Sequence, residues 1–497
     1  MKTINAPSTS RLLQTACLLA FAAAMILVIG PWQQPVHSGT DNLPAVQASP
    51  TPYPCLSTPP ASCPNAPVTT ITSTQVPCDV CLPTSLPSTA NGIAFFDDYS
   101  WRSFIALIWP ALQGQRGVPD TTKTIAAAGP RVFETYKGLW ELFHVDGSAP
   151  AAWNAYDAPA MNACGVQTAF GDLVLASFSK FSDLGQAGFG NLIGPLVAQN
   201  KTYVSFLTAY NQTEFDQITS TKWYLRANLP TTLTFQNQSM DIKSAWMDMK
   251  DAKNPQRYYT RTAWVMDPAT GKCSQKTVGL VGLHIVQKTG TRPQWIWSTF
   301  EQVDNVPPTP AGGPGTFAFN NGDGPPMPAK NPYSVNPLPI PVPSPYNVTR
   351  TMPISTLVPV PGLPSTVQTN ANYQQALKNA GSVFQFYQLV MTQWPTPGST
   401  PGNSGAPKFT FPGLGAATSF ANTTMETFDQ ASIGTGCMAC HTVTQNATDF
   451  VWSLADHAFP PKIPSLLTQD PAFRELKTLI QSGTSKPAAK SNKKKHH

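Results

Sequence analysis

Apolar residues recur at spacings of three and four in several stretches, and this period predicts helices there. The first stretch ends before Pro110 and carries Phe96, Tyr99, Trp101, Phe104, Ile105 and Ile108. Proline lacks the backbone N–H that a helix needs, so it ends this one. The same spacing predicts three further helices, from Pro130 to Phe143, from Thr208 to Ile218 and from Tyr373 to Trp394.

The pattern changes to a period of two over four stretches, and alternation of this kind predicts strands. The predicted strands are Asp241–Met249, Arg257–Met266, Thr277–Lys288 and Pro293–Val303. Only four residues, from Thr289 to Arg292, separate the last two, so we expect a short hairpin connection. The sequence therefore predicts an antiparallel sheet.

His284 lies in the most apolar of these strands, and alternation puts it on one face with Gly282 and Leu280. Because glycine has no side chain, a planar group can approach such a face closely. The alternative is a histidine whose hydrogen bonds are satisfied inside the sheet.

The N-terminus has the pattern of an export signal. Lys2 and Arg11 precede an apolar run from Ala16 to Gly30, which is short for a membrane span. Since no A-x-A-like cleavage site follows, the segment is either a signal peptide or an uncleaved anchor that attaches the chain to a membrane. We expect a periplasmic or otherwise exported protein.

The formal charge of +6 is concentrated at the two ends. Without the leader and the five lysines of the last dozen residues, the chain is nearly neutral. Nucleic-acid binding therefore has little support.

Six cysteines outside the leader and the C-terminal motif form an even set: Cys55, Cys63, Cys78, Cys81, Cys164 and Cys273. In an exported chain such a set predicts disulfides, with Cys164 and Cys273 as one long-range pair. Cys78 and Cys81 have the C-x-x-C spacing but no following histidine, which leaves a redox dithiol or half of a zinc cluster with Cys437 and Cys440 as alternatives.

The most informative motif is Cys437-Met438-Ala439-Cys440-His441, which has the C-x-x-C-H spacing of covalent haem attachment. Two thiols at this spacing reach the two vinyl groups of one porphyrin edge, and the histidine then ligates the iron from below. We therefore predict one covalent haem c held by Cys437 and Cys440, with His441 as the proximal ligand. Half of a zinc site, or a reducible dithiol, is the alternative.

The second axial ligand of the iron is left open by the sequence. Small cytochromes usually supply a downstream methionine, but no methionine follows Met438. His284 and His457 are the main candidates, and His144 and Met425 are further ones. An open position would favour ligand chemistry over electron transfer.

Residues 420–482 resemble a small single-haem cytochrome c module, because Thr423 and Glu426 form a capping box before the motif and Asp470 begins a helix after it. The chain from Gly92 to Phe450 also resembles large bacterial cytochrome c family (cytochrome c domain-containing) proteins. The matching stretches are Phe104–Leu107, Gly279–Ile285, Trp297–Glu301, Gln393–Pro395, Asn422–Thr427 and the C-x-x-C-H. The resemblance implies an exported haem protein and no particular substrate.

These observations predict an α+β fold, in which an antiparallel β-sheet body with helices is joined to a C-terminal helical segment like a class I cytochrome c. The predicted regions are a leader (1–31), a Pro/Thr/Ser-rich linker with cysteines (32–91), an α+β body (92–306), a Pro/Gly-rich loop (307–365), a helical haem-bearing domain (366–482) and a basic tail (483–497). We expect one-electron transfer with a redox partner protein or a small-molecule donor or acceptor. The alternatives are a peroxidase- or oxygenase-type haem enzyme and a haem-based ligand-binding protein.

Overall fold

Helix α1 (Ile93–Leu107) forms where the first apolar stretch predicts it. Nearly all of its side chains are buried, and it ends at Ile108, two residues before Pro110. The computed structural model describes residues 55–57, 71, 73–80, 82, 92–175, 194–308, 316–333, 338–351, 353–356, 358, 361–394, 421–428, 430, 437, 441 and 448–461. These residues belong to one compact unit that spans 52–497.

The described strands form one eight-stranded sheet. The strands are β1 (Lys137–Gly138), β2 (Leu173–Leu175), β3 (Ser205–Tyr210), β4 (Met240–Asp248), β5 (Thr260–Met266), β6 (Cys273–Gln287), β7 (Ile296–Gln302) and β8 (Tyr387–Gln393). All pairings are antiparallel except that of β2 with β5. The predicted antiparallel sheet is confirmed.

The long strand β6 is the centre of this sheet. It pairs with β4 along one edge, while β5 and then β7 follow one another along the opposite edge. Strand β8 extends the sheet beyond β7, and β3 and β1 extend it beyond β4. Strand β8 comes from the region that was predicted as the helical haem-bearing domain.

The remaining helices are short or lie beside the sheet. They are α2 (Leu139–Leu142), α3 (Gln212–Ser220), α4 (Thr366–Asn379) and α5 (Trp452–His457). Single 3-10 turns occupy Val132–Thr135, Pro159–Met161, Arg226–Asn228, Pro255–Arg257 and Val383–Phe386. Among the described helices, none has the length and apolarity that a membrane crossing requires.

The two faces of the sheet are covered differently. One face packs against α1 and α4, where Phe104 stacks on Phe300 at 4.3 Å and Trp101 stacks on Tyr373 at 5.0 Å. The other face carries Lys243, His284 and Thr299 side by side, because these residues pair directly across β4, β6 and β7. We call this second face the histidine face.

A β-bulge corrects one prediction about this face. Ala245 pairs with Gly282, but Trp246 pairs with Leu280, so Val281 is an extra residue in β6. Gly282 therefore stays on the histidine face, whereas Leu280 belongs to the core cluster under α1. The expected common face of Leu280 and His284 was wrong.

Three predicted helices were wrong in part. From Pro130 to Phe143 the chain forms a 3-10 turn, β1 and α2, because Lys137 and Gly138 pair with the end of β3. The stretch from Thr208 to Ile218 is divided at Asn211, which follows the last residue of β3. The side chain of Asn211 caps α3 by accepting a hydrogen bond from the backbone N–H of Glu214 at 3.1 Å.

The helix predicted from Tyr373 to Trp394 stops early. Helix α4 ends at Asn379, since Gly381 takes the left-handed conformation with φ 69°. The residues after it form β8, because the free edge of β7 offers them backbone hydrogen bonds. The predicted four-residue hairpin is also wrong: Gln287 pairs with Ile296, so the connection contains eight residues.

Two disulfides are present among the described cysteines. Cys164 is bonded to Cys273, as the sequence predicts, with a Cα–Cα distance of 5.3 Å. Cys55 is bonded to Cys78, with a Cα–Cα distance of 5.4 Å. The described residues do not include Cys63, Cys81, the leader, the basic tail or the helix predicted at Asp470. Most of the cytochrome-like segment 420–482 also lies outside them.

Candidate haem-binding site

His441, the last residue of the C-x-x-C-H motif, is held by a backbone carbonyl. Its Nδ1 lies 2.7 Å from the carbonyl oxygen of Phe450. Since a carbonyl oxygen only accepts, Nδ1 carries the proton and the lone pair is on Nε2. This is the arrangement that orients a metal-ligating histidine in many proteins.

The surroundings of His441 keep its ring neutral. Burial lowers its pKa to about 4, and the positive charge of Lys243 acts in the same direction, while the hydrogen bond to Phe450 opposes both. A neutral imidazole is the form that binds a metal. At neutral pH the imidazole of His441 is therefore uncharged.

The indole of Trp297 packs beside this imidazole. The two ring centroids are 4.3 Å apart, and the ring planes meet at 49°. Trp297 lies on β7, and its Nε1 donates to the carbonyl oxygen of Gln294 at 3.1 Å. The sequence alone did not indicate that Trp297 lies beside His441.

His284 lies on the same face and belongs to the electrostatic surroundings of His441. Lys243, His284 and Glu426 each influence the pKa of His441, which places all three near its ring. The Nε2 atom of His284 is buried and makes no hydrogen bond with the residues that the structure describes. It lies 3.4 Å from Oε1 of Glu426.

Glu426 is the acidic member of this group. Burial raises its pKa, but His284, Lys243 and the backbone amide of Asn422 outweigh burial, so its pKa lies below the usual value. Glu426 is therefore an anion at neutral pH, and it balances the charge of Lys243 beside the two histidines.

Gly282 permits a turn of the chain to lie directly on the histidine face. A Cβ at Gly282 would lie 2.4 Å from Oγ1 of Thr424 and 3.3 Å from Oδ1 of Asn422. The space that was predicted to admit a planar group is therefore filled by residues 422–425. We call residues 422–427 the covering turn.

Hydrogen bonds fix the covering turn to β7. Asn422 donates to the carbonyl oxygen of Phe300 at 2.8 Å and to Oγ1 of Thr299 at 3.0 Å. The hydroxyl of Thr423 donates to Oε2 of Glu301 at 2.9 Å, and the other oxygen of that buried carboxylate pairs with Arg350. The covering turn thus holds Glu426 beside His284.

The predicted capping box is different from the one observed. Glu426 accepts from the backbone amide of Asn422 at 2.8 Å, not from that of Thr423. The side chain of Thr423 is engaged with Glu301 instead, and residues 421–428 form turns. The physical reason is the buried Glu301 carboxylate, which offers a better partner than a helix N-terminus would.

Cys437 is part of this neighbourhood, while Cys440 lies outside the described residues. Cys437 is partly buried and packs against the main core cluster, to which Trp297, Phe450 and Val286 belong. The histidine of the motif therefore lies beside β7, and its first cysteine borders the same core cluster.

The other ligand candidates are found in different surroundings. His457 ends α5, and its ring centroid is 6.1 Å from that of Phe143. Burial lowers the pKa of His457 to about 4, and Arg226 adds to this. His144 lies between Ser148 at 2.8 Å and Asp157 at 3.1 Å.

Met425 belongs to the second core cluster, with Val281 and Phe428. Of the three candidate histidines, His284 is the one on the sheet face where Trp297 packs on His441.

Two observations bear on the zinc alternative. Within the described residues, no group of three or more His, Cys, Asp or Glu side chains is arranged to hold a metal ion. A zinc site needs three or four such ligands, whereas porphyrin supplies four of the iron's ligands itself. Cys78, one of the thiols proposed for a zinc cluster, is bonded to Cys55.

Three of the stretches quoted for the cytochrome c resemblance lie next to one another here. Gly279–Ile285 forms the middle of β6, Trp297–Glu301 forms β7, and Asn422–Thr427 is the covering turn. The contacts of Lys243, Glu426 and Phe450 with this site could not be predicted, because each joins residues that are distant in the sequence.

No protein-family model, no curated protein and no solved structure matches this chain.

Proposed function

We propose that the chain is an exported single-haem c-type cytochrome that transfers one electron at a time. The proposal rests on the C-x-x-C-H motif and on the setting of its histidine. The observation that carries it is the 2.7 Å hydrogen bond from Nδ1 of His441 to Phe450, which leaves the lone pair on Nε2 of a neutral ring. A histidine prepared in this way suits an axial ligand.

The residues that would hold the haem are Cys437 and Cys440 through thioether bonds and His441 through Nε2. When bound, haem supplies an iron that alternates between the ferrous and ferric states. The protein orients His441 through Phe450, packs Trp297 beside it and surrounds it with apolar core. The leader and the two disulfides support an exported location.

His284 is our candidate for the second axial ligand. Its Nε2 is buried, lies 3.4 Å from Oε1 of Glu426 and makes no hydrogen bond among the described residues. His284 also lies on the face of the sheet where Trp297 packs on His441. Two histidine ligands would close the iron to small molecules and favour electron transfer. If His284 does not ligate the iron, a haem enzyme of peroxidase or oxygenase type or a haem-based ligand-binding protein becomes the better-supported function.

Haem attachment can be tested by extraction. The protein would be produced in a periplasm with haem-attachment machinery and then treated with acidified acetone. We expect the haem to stay on the chain, and the double variant Cys437→Ser/Cys440→Ser to yield a protein without covalent haem. Cys55→Ser/Cys78→Ser removes another cysteine pair and should keep the haem. Haem that extracts from the unaltered protein would contradict the proposal.

Axial ligation can be tested by visible spectra. We expect a low-spin ferric spectrum and no carbon monoxide binding to the reduced protein. His284→Ala should give a high-spin spectrum and allow carbon monoxide to bind, whereas His457→Ala should leave the spectrum unchanged. An unaltered protein that binds carbon monoxide readily would favour the alternatives.

A further inference from the structure

A group of buried acids lies beside the histidine face. Glu214 is in the first turn of α3, Asp241 is on β4, and Asp449 immediately precedes Phe450. Tyr210 at the end of β3 and Lys288 after β6 complete the group, because each influences the pKa of Glu214 or is influenced by it. We call these five residues the acid cluster.

Several oxygens of the acid cluster lack a hydrogen-bond donor. Within the described part of the chain, no amide, hydroxyl or basic group donates to either oxygen of Glu214, to Oδ1 of Asp241 or to Oδ1 of Asp449, so a bond between Glu214 and Asp241 requires a proton on one of the two carboxyls. Glu214 is fully buried. A buried carboxylate without a donor is costly, so this arrangement requires protons or partners.

One base cannot neutralise three acids. Lys288 places Nζ 2.5 Å from Oδ2 of Asp449, and that carboxylate also accepts from the amide of Phe235 at 2.8 Å. The ammonium of Lys288 is therefore committed to Asp449. Glu214 and Asp241 are brought together by Asn211, whose Oδ1 accepts from the backbone amides of Glu214 and of Met240, each at 3.1 Å. Like charges close together in a buried site do not both ionise.

The titration of the group follows from this arrangement. Burial raises the pKa of Glu214 well above its usual value, and the charge of Asp241 and a hydrogen bond with it act in the same direction. Burial raises the pKa of Asp241 to about 7. Burial also raises the pKa of Tyr210, so its hydroxyl stays neutral.

Two connections join the acid cluster to His441. Asp449 is next to Phe450, whose carbonyl oxygen accepts from Nδ1 of His441. On the sheet, Val286 pairs with Asp241 on one side and with Trp297 on the other, and Trp297 packs on His441. A change of charge at His441 therefore alters the electrostatic potential at the acid cluster, because apolar protein lies between them.

We propose that Glu214 and Asp241 share one proton and that this pair binds a further proton from solvent when an electron enters the site of His441. The electron comes from the one-electron donor, and the proton from water reaches the pair through Asp241, its partly exposed member. One negative and one positive charge enter together, so the buried site keeps its net charge. The second half of this proposal rests on the proposed function.

Infrared spectroscopy tests the shared proton without any need for haem. At neutral pH the protein should show the carbonyl stretch of a buried, protonated carboxylic acid. Glu214→Gln and Asp241→Asn should each shift that band, because the remaining buried acid loses its partner, and the double variant Glu214→Gln/Asp241→Asn should remove it. Glu134→Gln is the matched control, because Glu134 is another buried acid, bound by Tyr259 and Arg261, and it should leave the band unchanged. The absence of a band that responds to these substitutions in this way would overturn the shared proton.

Redox titration tests the coupling in the haem-loaded protein. The midpoint potential should fall as pH rises through the neutral range, because a proton taken up with the electron becomes scarcer. The fall should disappear in Glu214→Gln and in Asp241→Asn and persist in Glu134→Gln. An unchanged slope in the first two variants would overturn the coupling even where the infrared band is present. If no haem is attached, the coupling fails together with the proposed function, while the infrared result still decides the shared proton.

Discussion

Replacing Gly282 by alanine should detach the covering turn from the sheet. The new Cβ would lie 2.4 Å from Oγ1 of Thr424, about 1 Å closer than ordinary contact. That hydroxyl donates to Oδ1 of Asn422 at 2.7 Å, so it cannot move aside without breaking a hydrogen bond inside the turn. The clash therefore has to be relieved by a shift of the turn itself.

The cost can be worked out from these contacts. Overpacking a close contact typically costs about 1–3 kcal/mol, and a lost hydrogen bond adds about 1 kcal/mol. Glycine-to-alanine replacement also restricts the unfolded chain, which returns about 0.4–1 kcal/mol. We expect Gly282→Ala to lower the free energy of unfolding by about 1–3 kcal/mol.

Gly279→Ala is the matched control on the same strand. Its Cβ would lie equally close, 2.4 Å, to Sδ of Met249, but a methionine side chain is flexible and can rotate away. Urea unfolding, followed by tryptophan fluorescence, would give both free energies. The reasoning fails if Gly282→Ala is as stable as the unaltered protein, or if Gly279→Ala is the more damaging of the two.

Three further predictions follow from other buried groups. Glu301→Gln removes the carboxylate that faces buried Arg350, and breaking such a pair should lower the free energy of unfolding by about 3–5 kcal/mol in the same urea assay. Cys164→Ser/Cys273→Ser opens a loop with a sequence separation of 109 and should cost about 2–5 kcal/mol, and reductant should then have less effect on the melting temperature. Burial raises the pKa of Asp97 to about 7, so the folded state binds its proton more tightly than the unfolded state does. Its contribution to stability is therefore present at acid pH and lost as pH rises from about 4 to 7, and Asp97→Asn should flatten that fall in urea unfolding measured across this range.

The centre of the sheet could be predicted because its strands have a single interpretation. Strand β6 carries β-branched and apolar residues in a long run, and β4, β5 and β7 alternate clearly. Strand β8 could not be predicted, since Tyr387, Met391 and Trp394 also fit a helical spacing. The edge of β7, which is distant in the sequence, decides between the two.

The motif of the candidate site could be predicted, but its surroundings could not. The C-x-x-C-H spacing is local, so Cys437, Cys440 and His441 stand out in the sequence alone. The roles of Glu426 and Phe450 depend on a turn that crosses β7 and on a hydrogen bond across nine residues. No period or propensity reports such contacts.

The spacing of the strands also sets how strongly the acid cluster and His441 influence each other. Asp241 and Trp297 flank Val286 at two strand spacings, or about 10 Å, and His441 packs against Trp297. At an effective dielectric constant of about 20, two unit charges about 10 Å apart interact by roughly 1.7 kcal/mol, or about one pKa unit, which gives the order of magnitude of the coupling between the carboxyl pair and His441. Such coupling is reciprocal. An electron at the site of His441 would raise the pKa of the carboxyl pair, and a proton on the pair would favour the entry of the electron by the same free energy. Burial raises the pKa of Asp241 to about 7, so a shift of this size changes its protonation at neutral pH. A pair two strands farther from His441 would be coupled only about half as strongly.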